Sequence, residues 1–280
     1  MNTPRSLPTH AQWHAHTSQV LLPTGIRMAY LEVGVPEGKP LVLIHGFTDS
    51  SRIWRPVIAR LQRDFHIYAV DLRGFGQSGK PARYVYSMPQ HAEDILAFMD
   101  AVGLRSAGIL AHSMGSMIAQ TVAFSAPERV DGLALASTMT HMHETPEDLL
   151  KIEAYTKMDL ASMSEKELQE TFLPFPENCA DPDFPAGYFS TLRMLSGASL
   201  AAAWRGMSLT DNRNFLQFIK APVLVFWGSK DDIFKEDYQE EVRRYLPNAQ
   251  YVTLEGVAHE IPNEVPEILA ERAGRFFADL

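Results

Sequence analysis

The chain has 280 residues and a formal net charge of −9, and 46% of its residues are hydrophobic against 21% charged. This composition predicts a globular protein with one large core and excludes a disordered chain or a coiled coil. The acidic balance argues against a nucleic-acid partner, because phosphate contacts need concentrated lysine and arginine, and the single cysteine, Cys179, excludes an internal disulfide framework and a Cys-rich zinc site.

Two groups of short runs are predicted to be β-strands. Residues 17–22 and 26–33 flank Pro23-Thr24-Gly25, which predicts a hairpin turn. From residue 40 onward, continuously apolar runs alternate with amphipathic segments, a pattern typical of parallel strands that helices cover on both faces. These runs are residues 41–45, 65–71, 107–112, 130–136, 222–227 and 250–254.

The segments between these strands have helical periodicity. Apolar residues recur at i, i+3, i+4 and i+7 from Trp54 and again from Ile95. Ser87 offers an N-cap for the second helix, and Gly103 is placed to end it. The alternation predicts an α/β fold: a doubly wound, mostly parallel sheet with an antiparallel hairpin at its N-terminal edge.

The alternation stops near Thr138 and resumes near Asp211. We therefore predict that residues 1–138 and 211–280 form the core and that residues 139–210 form an inserted helical cap over one end of the sheet. The inserted segment has 11 acidic and 5 basic residues, seven aromatic residues and six of the 12 methionines. These large side chains suit a roof over a pocket or a small core of the cap's own. Four prolines in residues 174–187 predict irregular structure there.

A glycine-rich segment at residues 71–80 matches G-x-G-x-x-G and most of a P-loop. Both nucleotide-binding motifs need a helix that begins at once, so that its free N–H groups face the phosphates. Here Pro81 follows the segment, and the next helical pattern starts near Met88. We therefore predict a tight turn held by Asp71 and Arg73, and no nucleotide cofactor.

Several histidines are candidate metal ligands. The pairs at 14/16 and 141/143 have no cysteine or carboxylate partner at the spacing of a zinc site. His66 and His112 lie in or beside apolar strands, where a hydrogen-bonded core histidine is expected. The sequence therefore predicts no metal site.

Ser113 follows the predicted strand 107–112, and a helical pattern covers residues 117–124. A serine at a sharp strand-to-helix turn has its hydroxyl exposed in a strained backbone conformation. Its neighbours Ala111 and Gly115 are small, as the close passage of strand and helix requires. A helix N-cap is the alternative role for such a serine.

A serine hydroxyl becomes a good nucleophile when a base removes its proton and a third group orients that base. Asp231 follows the strand 222–227, and His259 follows the strand 250–254. The chain order is therefore Ser, Asp, His, one of three known triad orders. Asp232 is a second candidate for the acid.

Negative charge that develops during acyl transfer needs N–H donors. The strand 41–45 runs into Gly46, which leaves room for the backbone to direct the N–H of Phe47 into the site. The second donor is expected to be the N–H of Met114, directly after the nucleophile.

These motifs together resemble the α/β-hydrolase superfamily over nearly the whole chain. His45-Gly46-Phe47 is similar to its oxyanion segment, residues 71–78 to its D-x-R-G-x-G-x-S turn, 111–115 to its nucleophile elbow, 228–231 to its acid turn and 256–259 to its histidine loop. The departure is Ala111, where the family has glycine. Serine instead of aspartate at 113 argues against epoxide hydrolase and haloalkane dehalogenase chemistry, which proceeds through an alkyl–aspartate ester.

The residues and the resemblance predict a cofactor-free serine hydrolase that cleaves a small carboxylic ester or lactone. Ser113 would attack the carbonyl, His259 would accept its proton and Asp231 would orient the imidazole. Trp204 and residues 172–175 are candidate pocket-lining positions. Two alternatives stay open: C–C hydrolysis or perhydrolysis by the same triad, and a hydrolase-like signalling or ligand-sensing protein.

The sequence also predicts where the protein acts. No apolar run approaches the roughly 18 residues of a membrane span. The polar residues 1–13 lack the apolar region of a signal peptide. We therefore expect a cytoplasmic protein without a membrane span.

Overall fold

The computed structural model describes residues 7–81, 86–142, 145–172 and 179–280. In this part of the chain, one sheet contains the strands β1 (Ser18–Leu21), β2 (Arg27–Gly34), β3 (Lys39–Ile44), β4 (Phe65–Val70), β5 (Ala107–His112), β6 (Val130–Ala136), β7 (Val223–Gly228) and β8 (Gln250–Leu254). Their order across the sheet is β1-β2-β4-β3-β5-β6-β7-β8. The pairs β1–β2 and β2–β4 are antiparallel and the other pairs are parallel. The predicted fold class is confirmed, with the hairpin at one edge.

Helices lie on both faces of the sheet, and further helices belong to the segment of chain that connects β6 to β7. They are α1 (Arg55–Leu61), α2 (Met88–Ala101), α3 (Met114–Ser125), α4 (Pro146–Thr156), α5 (Glu165–Thr171), α6 (Phe184–Arg193), α7 (Gly197–Ser208), α8 (Glu236–Tyr245), α9 (Ile261–Glu264) and α10 (Pro266–Ala278). Helix α2 packs against α3, and α1 packs against α10. Within the described ranges, no helix has the length and apolar character needed to cross a bilayer.

The central strand β3 shows why the core strands are apolar throughout. Leu41 and Leu43 belong to the core that includes α1 and α10, whereas Val42 and Ile44 belong to the core that includes α2 and α3. Successive side chains of a strand point to opposite faces, so a strand that is covered on both faces has no polar side. This is the physical reason that the continuous apolar runs predicted parallel strands.

The ends of α2 agree with the sequence signals that predict them, whereas the start of α3 differs from the prediction. Helix α2 begins after Ser87, whose hydroxyl accepts a hydrogen bond from the N–H of Gln90 at 3.3 Å. Beyond its end, Gly103 has a φ of 76°, the left-handed conformation expected of a terminating glycine. Helix α3 begins at Met114, three residues before the predicted start. The strained turn at residue 113 directs the chain into the helix at once.

The inserted segment contains helices α4 to α7 within its described residues. The expectation of irregular structure across residues 174–187 is wrong for its last four residues, since α6 begins at Phe184. Pro185 lies in the first turn of that helix, where its missing N–H would have no partner within the helix. Residues 174–178 lie outside the described part of the chain. The assignment of residues 139–210 as a cap stays a prediction.

The inserted segment leaves and rejoins the core at one point. His141 and Asp211 form an isolated antiparallel bridge, and the N–H of Asn212 donates to the carbonyl of Thr140 at 2.9 Å. The side-chain amide of Asn212 also donates to the carbonyl of Met117 in α3 at 3.1 Å. Both ends of the insertion are therefore fixed to the core beside the helix that follows residue 113.

The glycine-rich segment forms a tight turn, as predicted. The carboxylate of Asp71 accepts hydrogen bonds from the N–H groups of Ser51 and Gln77, each at 2.8 Å. Gly76 has a φ of 48°, and a Cβ at that position would collide with the Asp71 carboxylate. The guanidinium of Arg73 pairs with Asp94 of α2 at 2.7 Å. No helix begins directly after these glycines in the described residues, so the free N–H groups of a phosphate site are not formed there.

Candidate active site

Ser113 lies in the turn between β5 and α3. Its φ of 52° and ψ of −123° are a conformation that few residues other than glycine adopt. A Cβ at Gly115 would lie 2.5 Å from the carbonyl oxygens of Ile44 and His45, so glycine allows α3 to pass close to β3. Ala111 is fully buried, and the core accommodates its methyl group where the wider superfamily has glycine. The predicted elbow geometry is therefore present at Ser113.

Three side chains from distant parts of the sequence meet at this turn. Nε2 of His259 lies 2.9 Å from Oγ of Ser113, and Nδ1 of His259 lies 2.9 Å from Oδ2 of Asp231. All three residues are buried, with Ser113 the most exposed at 8%. The structure thus brings the three predicted residues together in the order nucleophile, base, acid.

The loop after β7 gives Asp231 a fixed orientation. Its Oδ1 accepts hydrogen bonds from the N–H groups of Ile233 at 3.0 Å and Phe234 at 2.9 Å. Its Oδ2 is left to accept a bond from His259. The competing acid, Asp232, is exposed to solvent. The geometry therefore selects Asp231 over its neighbour.

Burial and charge act in opposite directions on this pair. Burial lowers the pKa of His259, but the Asp231 carboxylate and its hydrogen bond outweigh burial and raise the pKa above its ordinary value. Burial raises the pKa of Asp231, but the charge and hydrogen bond of His259 and the backbone donors hold it below its ordinary value. A deprotonated Asp231 requires the proton of neutral His259 on Nδ1. Nε2 then carries the lone pair that faces the hydroxyl of Ser113.

His45 fixes the peptide group that carries one expected oxyanion donor. The N–H of Leu72 donates to Nε2 of His45 at 3.0 Å, so the ring proton lies on Nδ1, which donates to the carbonyl of Gly46 at 2.7 Å. That carbonyl and the N–H of Phe47 belong to one trans peptide and point in opposite directions. Holding the carbonyl therefore sets the direction of the Phe47 N–H. The sequence interpretation gave His45 no role of its own, although its position before Gly46 was a usable signal.

The two expected donors lie next to Ser113. A Cβ at Gly46 would lie 3.0 Å from Cβ of Ser113, so the oxyanion segment packs directly against the nucleophile turn. Met114 is the first residue of α3, where a backbone N–H has no carbonyl partner within its own helix. The role of the Phe47 and Met114 N–H groups as oxyanion donors stays a prediction.

Aromatic side chains of the inserted segment cover the oxyanion segment. The ring of Phe47 lies 5.4 Å from Trp204 of α7 and 5.9 Å from Tyr155 of α4, measured between centroids. Tyr155 stacks on Phe172 at 6.2 Å with nearly parallel planes. We call Tyr155, Phe172 and Trp204 the aromatic roof. Trp204 and Phe172 were candidate pocket positions, and residues 173–175 lie outside the described residues.

One group within the described residues has metal-ligand atoms close together. The ligand atoms of His112, His259 and Glu260 lie within 4.8 Å of one another. Both nitrogens of His259 already face Ser113 and Asp231, so a metal ion would compete with those hydrogen bonds. Burial raises the pKa of Glu260 to about 7. This arrangement suits acid–base chemistry at His259 better than a metal site.

Of the other described histidines named in the sequence analysis, only His14 has both ring nitrogens without a hydrogen-bond partner, and His16 bonds to the carbonyl of Gln12 at 2.9 Å. His66 bonds to Glu32 at 2.8 Å, and His112 bonds to the carbonyl of His259 at 2.9 Å. His141 bonds to Glu241 at 2.8 Å, and His143 lies outside the described residues. His66 and His112 are therefore hydrogen-bonded, as predicted.

Comparison with known proteins identifies the family of the chain. A family model described as the alpha/beta hydrolase fold matches residues 39–179 and 181–264, so the chain belongs to the α/β-hydrolase family. The uncharacterized hydrolase YugF of Bacillus subtilis is 24% identical over 260 residues, which are 90% of this chain and 94% of that relative. Lipase 1 of Psychrobacter immobilis is 28% identical over 264 residues, 92% of this chain and 81% of the lipase. A crystal structure of a hydrolase from Pseudomonas aeruginosa has a TM-score of 0.83 at 25% identity and covers 93% of this chain and 97% of that one.

Proposed function

We propose that the protein hydrolyses a small carboxylic ester or lactone through an acyl-enzyme on Ser113. The observation that carries this proposal is the position of the His259 imidazole, 2.9 Å from both Oγ of Ser113 and Oδ2 of Asp231. A base in hydrogen-bond contact with a serine held at a strained turn is the arrangement that nucleophilic acyl transfer requires.

The reaction begins when Ser113 Oγ attacks the substrate carbonyl and His259 Nε2 accepts the hydroxyl proton. Asp231 stabilises the imidazolium that forms and keeps its Nδ1 proton in place. His259 then gives the proton to the leaving alkoxide, and the acyl group stays on Ser113. Water, activated by the same imidazole, attacks the acyl-enzyme and releases the acid. No cofactor enters these steps.

The N–H groups of Phe47 and Met114 bind the oxyanion of each tetrahedral intermediate. A preorganised donor of this kind stabilises the transition state by about 3 kcal/mol. The contact of Gly46 with Ser113 and the start of α3 at Met114 support this assignment.

An uncharged substrate is favoured by the surroundings of the site. The aromatic roof covers the oxyanion segment and offers apolar contacts. A carboxyl oxygen of Glu260 lies within 4.8 Å of a ring nitrogen of His259, and its ionised form disfavours a carboxylate substituent on the substrate. The relative named Lipase 1 supports an ester over other bonds. We further propose that residues 139–210 act as a cap over this site and that the protein is cytoplasmic.

The test is turnover of p-nitrophenyl acetate and p-nitrophenyl butyrate by the wild-type chain and by Ser113→Ala. We expect the substitution to abolish turnover while the folded state persists. Ser125→Ala is the matched control, because it removes an exposed hydroxyl from the helix that follows Ser113. Absence of wild-type turnover, together with no labelling by a fluorophosphonate probe, would overturn the proposal.

A further inference from the structure

The backbone carbonyl of His259 accepts an unusual set of hydrogen bonds. The hydroxyl of Ser137 donates to it at 2.8 Å, Nε2 of His112 at 2.9 Å and the N–H of Ile261 at 3.0 Å. A carbonyl oxygen has two lone pairs, so three donors saturate it. Two of the three are side chains from strand ends far away in the sequence.

These two side chains, of His112 and Ser137, lie at the ends of neighbouring strands of the sheet. His112 is the last residue of β5, directly before Ser113, and Ser137 follows β6, which pairs with β5 along its length. The exposure of the two residues is 1% and 0%. They connect the loop that carries His259 to the same strands that hold the nucleophile.

The hydrogen bond from His112 to this carbonyl leaves the other ring nitrogen of His112 without a partner among the described residues. A carbonyl only accepts, so the ring proton lies on Nε2, and Nδ1 is left buried with a lone pair and no hydrogen-bond partner. Burial lowers the pKa of His112 to about 3, so the ring stays neutral. An apolar side chain would avoid the unpaired nitrogen, which costs about 1–3 kcal/mol. The bond to His259 is the gain that offsets this cost.

The backbone of Ser137 is also held in a conformation that is unfavourable for a serine. Its φ of 49° is in the left-handed region, where a serine is less stable than glycine. Its N–H donates to the carbonyl of Phe226 in β7 at 2.9 Å, which fixes the turn. In this conformation its hydroxyl reaches the His259 carbonyl.

We propose that His112 and Ser137 are positioning residues that set the orientation of the His259 imidazole through its own carbonyl. This inference rests on the proposed function of His259. Fixing the carbonyl fixes the backbone at the same Cα from which the ring extends. The two 2.9 Å contacts of the ring, to Ser113 and Asp231, depend on that orientation.

The experiment compares variants with and without the donors. His112→Met and Ser137→Ala remove them, and His112→Gln keeps an N–H donor near the position of Nε2. We expect kcat for p-nitrophenyl butyrate to fall about 10- to 100-fold in the first two with KM unchanged, and to recover in His112→Gln, because a displaced catalytic group costs rate more than binding. Ser137→Gly also loses the hydroxyl but relieves the φ strain, so it tests the same bond in a folded chain if Ser137→Ala does not fold.

A second readout does not depend on turnover. Proton NMR of the wild-type chain is expected to show a downfield signal from the His259 Nδ1–H that bonds Asp231, and the donor-removing variants are expected to shift or broaden it. His91→Met and Thr121→Val are controls, because they remove a buried ring in α2 and a buried hydroxyl in α3 that donates to the carbonyl of Met117, neither of which is hydrogen-bonded to His259. Variants that lose only thermal stability and keep kcat and the NMR signal would overturn the inference. If the wild type lacks turnover, the proposed function fails, and the NMR comparison still tests the positioning.

Discussion

The hydroxyl of Tyr188 lies 2.8 Å from the hydroxyl of Thr48. Thr48 in turn donates to the carbonyl of Phe47 at 2.6 Å, so Tyr188 is the donor to Thr48. Tyr188 is in α6 of the inserted segment, whereas Thr48 has a φ of 67° and directly follows the oxyanion segment. A chain of two hydrogen bonds therefore joins the insertion to the loop that carries an expected oxyanion donor.

We predict that Tyr188→Phe lowers kcat without changing KM. The loss of one hydrogen bond removes about 0.5–1.5 kcal/mol of the free energy that holds the loop in place, which corresponds to a decrease in kcat of roughly 2- to 10-fold. Steady-state kinetics with p-nitrophenyl butyrate measures it. Tyr251→Phe is the matched control, since it removes a tyrosine hydroxyl that donates to the carbonyl of Leu246 at 2.9 Å, away from the oxyanion segment. An equal effect of both substitutions would contradict a specific role of Tyr188.

We predict a larger effect from His45→Phe. Phenylalanine keeps a planar ring in the core but no longer holds the Gly46 carbonyl, so the N–H of Phe47 loses its fixed direction. Complete loss of one oxyanion donor costs about 100- to 1000-fold in kcat, which is the upper limit for this variant. The single-turnover acylation rate is the measurement. A variant that folds and acylates at the wild-type rate would show that the His45 bond does not aim the donor.

The pH dependence of kcat/KM is expected to follow His259. The imidazole acts as a base when it is neutral, so activity rises as the pH passes upward through its pKa. Asp231 raises that pKa, which places the acid limb above the ordinary value of 6.5. Asp231→Asn removes the carboxylate, so the limb moves to lower pH, and the plateau falls by about 10⁴-fold because the tautomer is no longer held.

A pH–rate profile of each variant between pH 5 and 9 measures both effects. Asp232→Asn is the control for the neighbouring carboxylate, and its plateau is expected to equal that of the wild type. If the acid limb of the pH–rate profile lies at the same pH in Asp231→Asn as in the wild type, another group controls the reaction.

Buried histidines are expected to make the fold sensitive to acid. Burial lowers the pKa of His10 to about 4 and the pKa of both His91 and His112 to about 3. The unfolded chain binds protons at these groups from about pH 6.5 downward, whereas the folded chain does not. The contribution of these histidines to the free energy of unfolding is therefore fully present above pH 6.5. It is lost as the pH falls, by about 1.4 kcal/mol per pH unit for each group. Glu260, with a pKa raised to about 7, acts in the opposite direction.

Urea unfolding between pH 4.5 and 7 measures this slope. In His91→Met the slope is expected to decrease by the contribution of one group, because the ring that protonates on unfolding is gone. An unchanged slope in that variant would mean that His91 is protonated in the folded state.

Much of the fold followed from the sequence because the signals are local. Continuous apolar strands, the serine before α2 and the glycine after it act within a few residues of the structures they predict. The start of α6 at Phe184 was missed because four prolines were counted together, and the one at 185 occupies the helix position that tolerates it. Composition alone does not separate a proline that breaks a helix from one that begins it.

The candidate site shows a different limit. Ser113, Asp231 and His259 could be named from strand ends, since the carboxyl ends of parallel strands share one edge of the sheet. The bonds of Ser137 to the His259 carbonyl and of Tyr188 to Thr48 join residues 122 and 140 positions apart. Such contacts depend on how the strand ends and the insertion finally pack, and a single sequence carries no local signal for them.

The proposed reaction requires a covalent intermediate on one serine. Rapid quenching during turnover of p-nitrophenyl butyrate, followed by mass spectrometry of proteolytic peptides, measures it directly. We expect a butyryl group on the peptide that contains Ser113, attached to Oγ of that residue and absent from Ser113→Ala. A butyryl group on a different residue, or turnover that persists in Ser113→Ala, would contradict it.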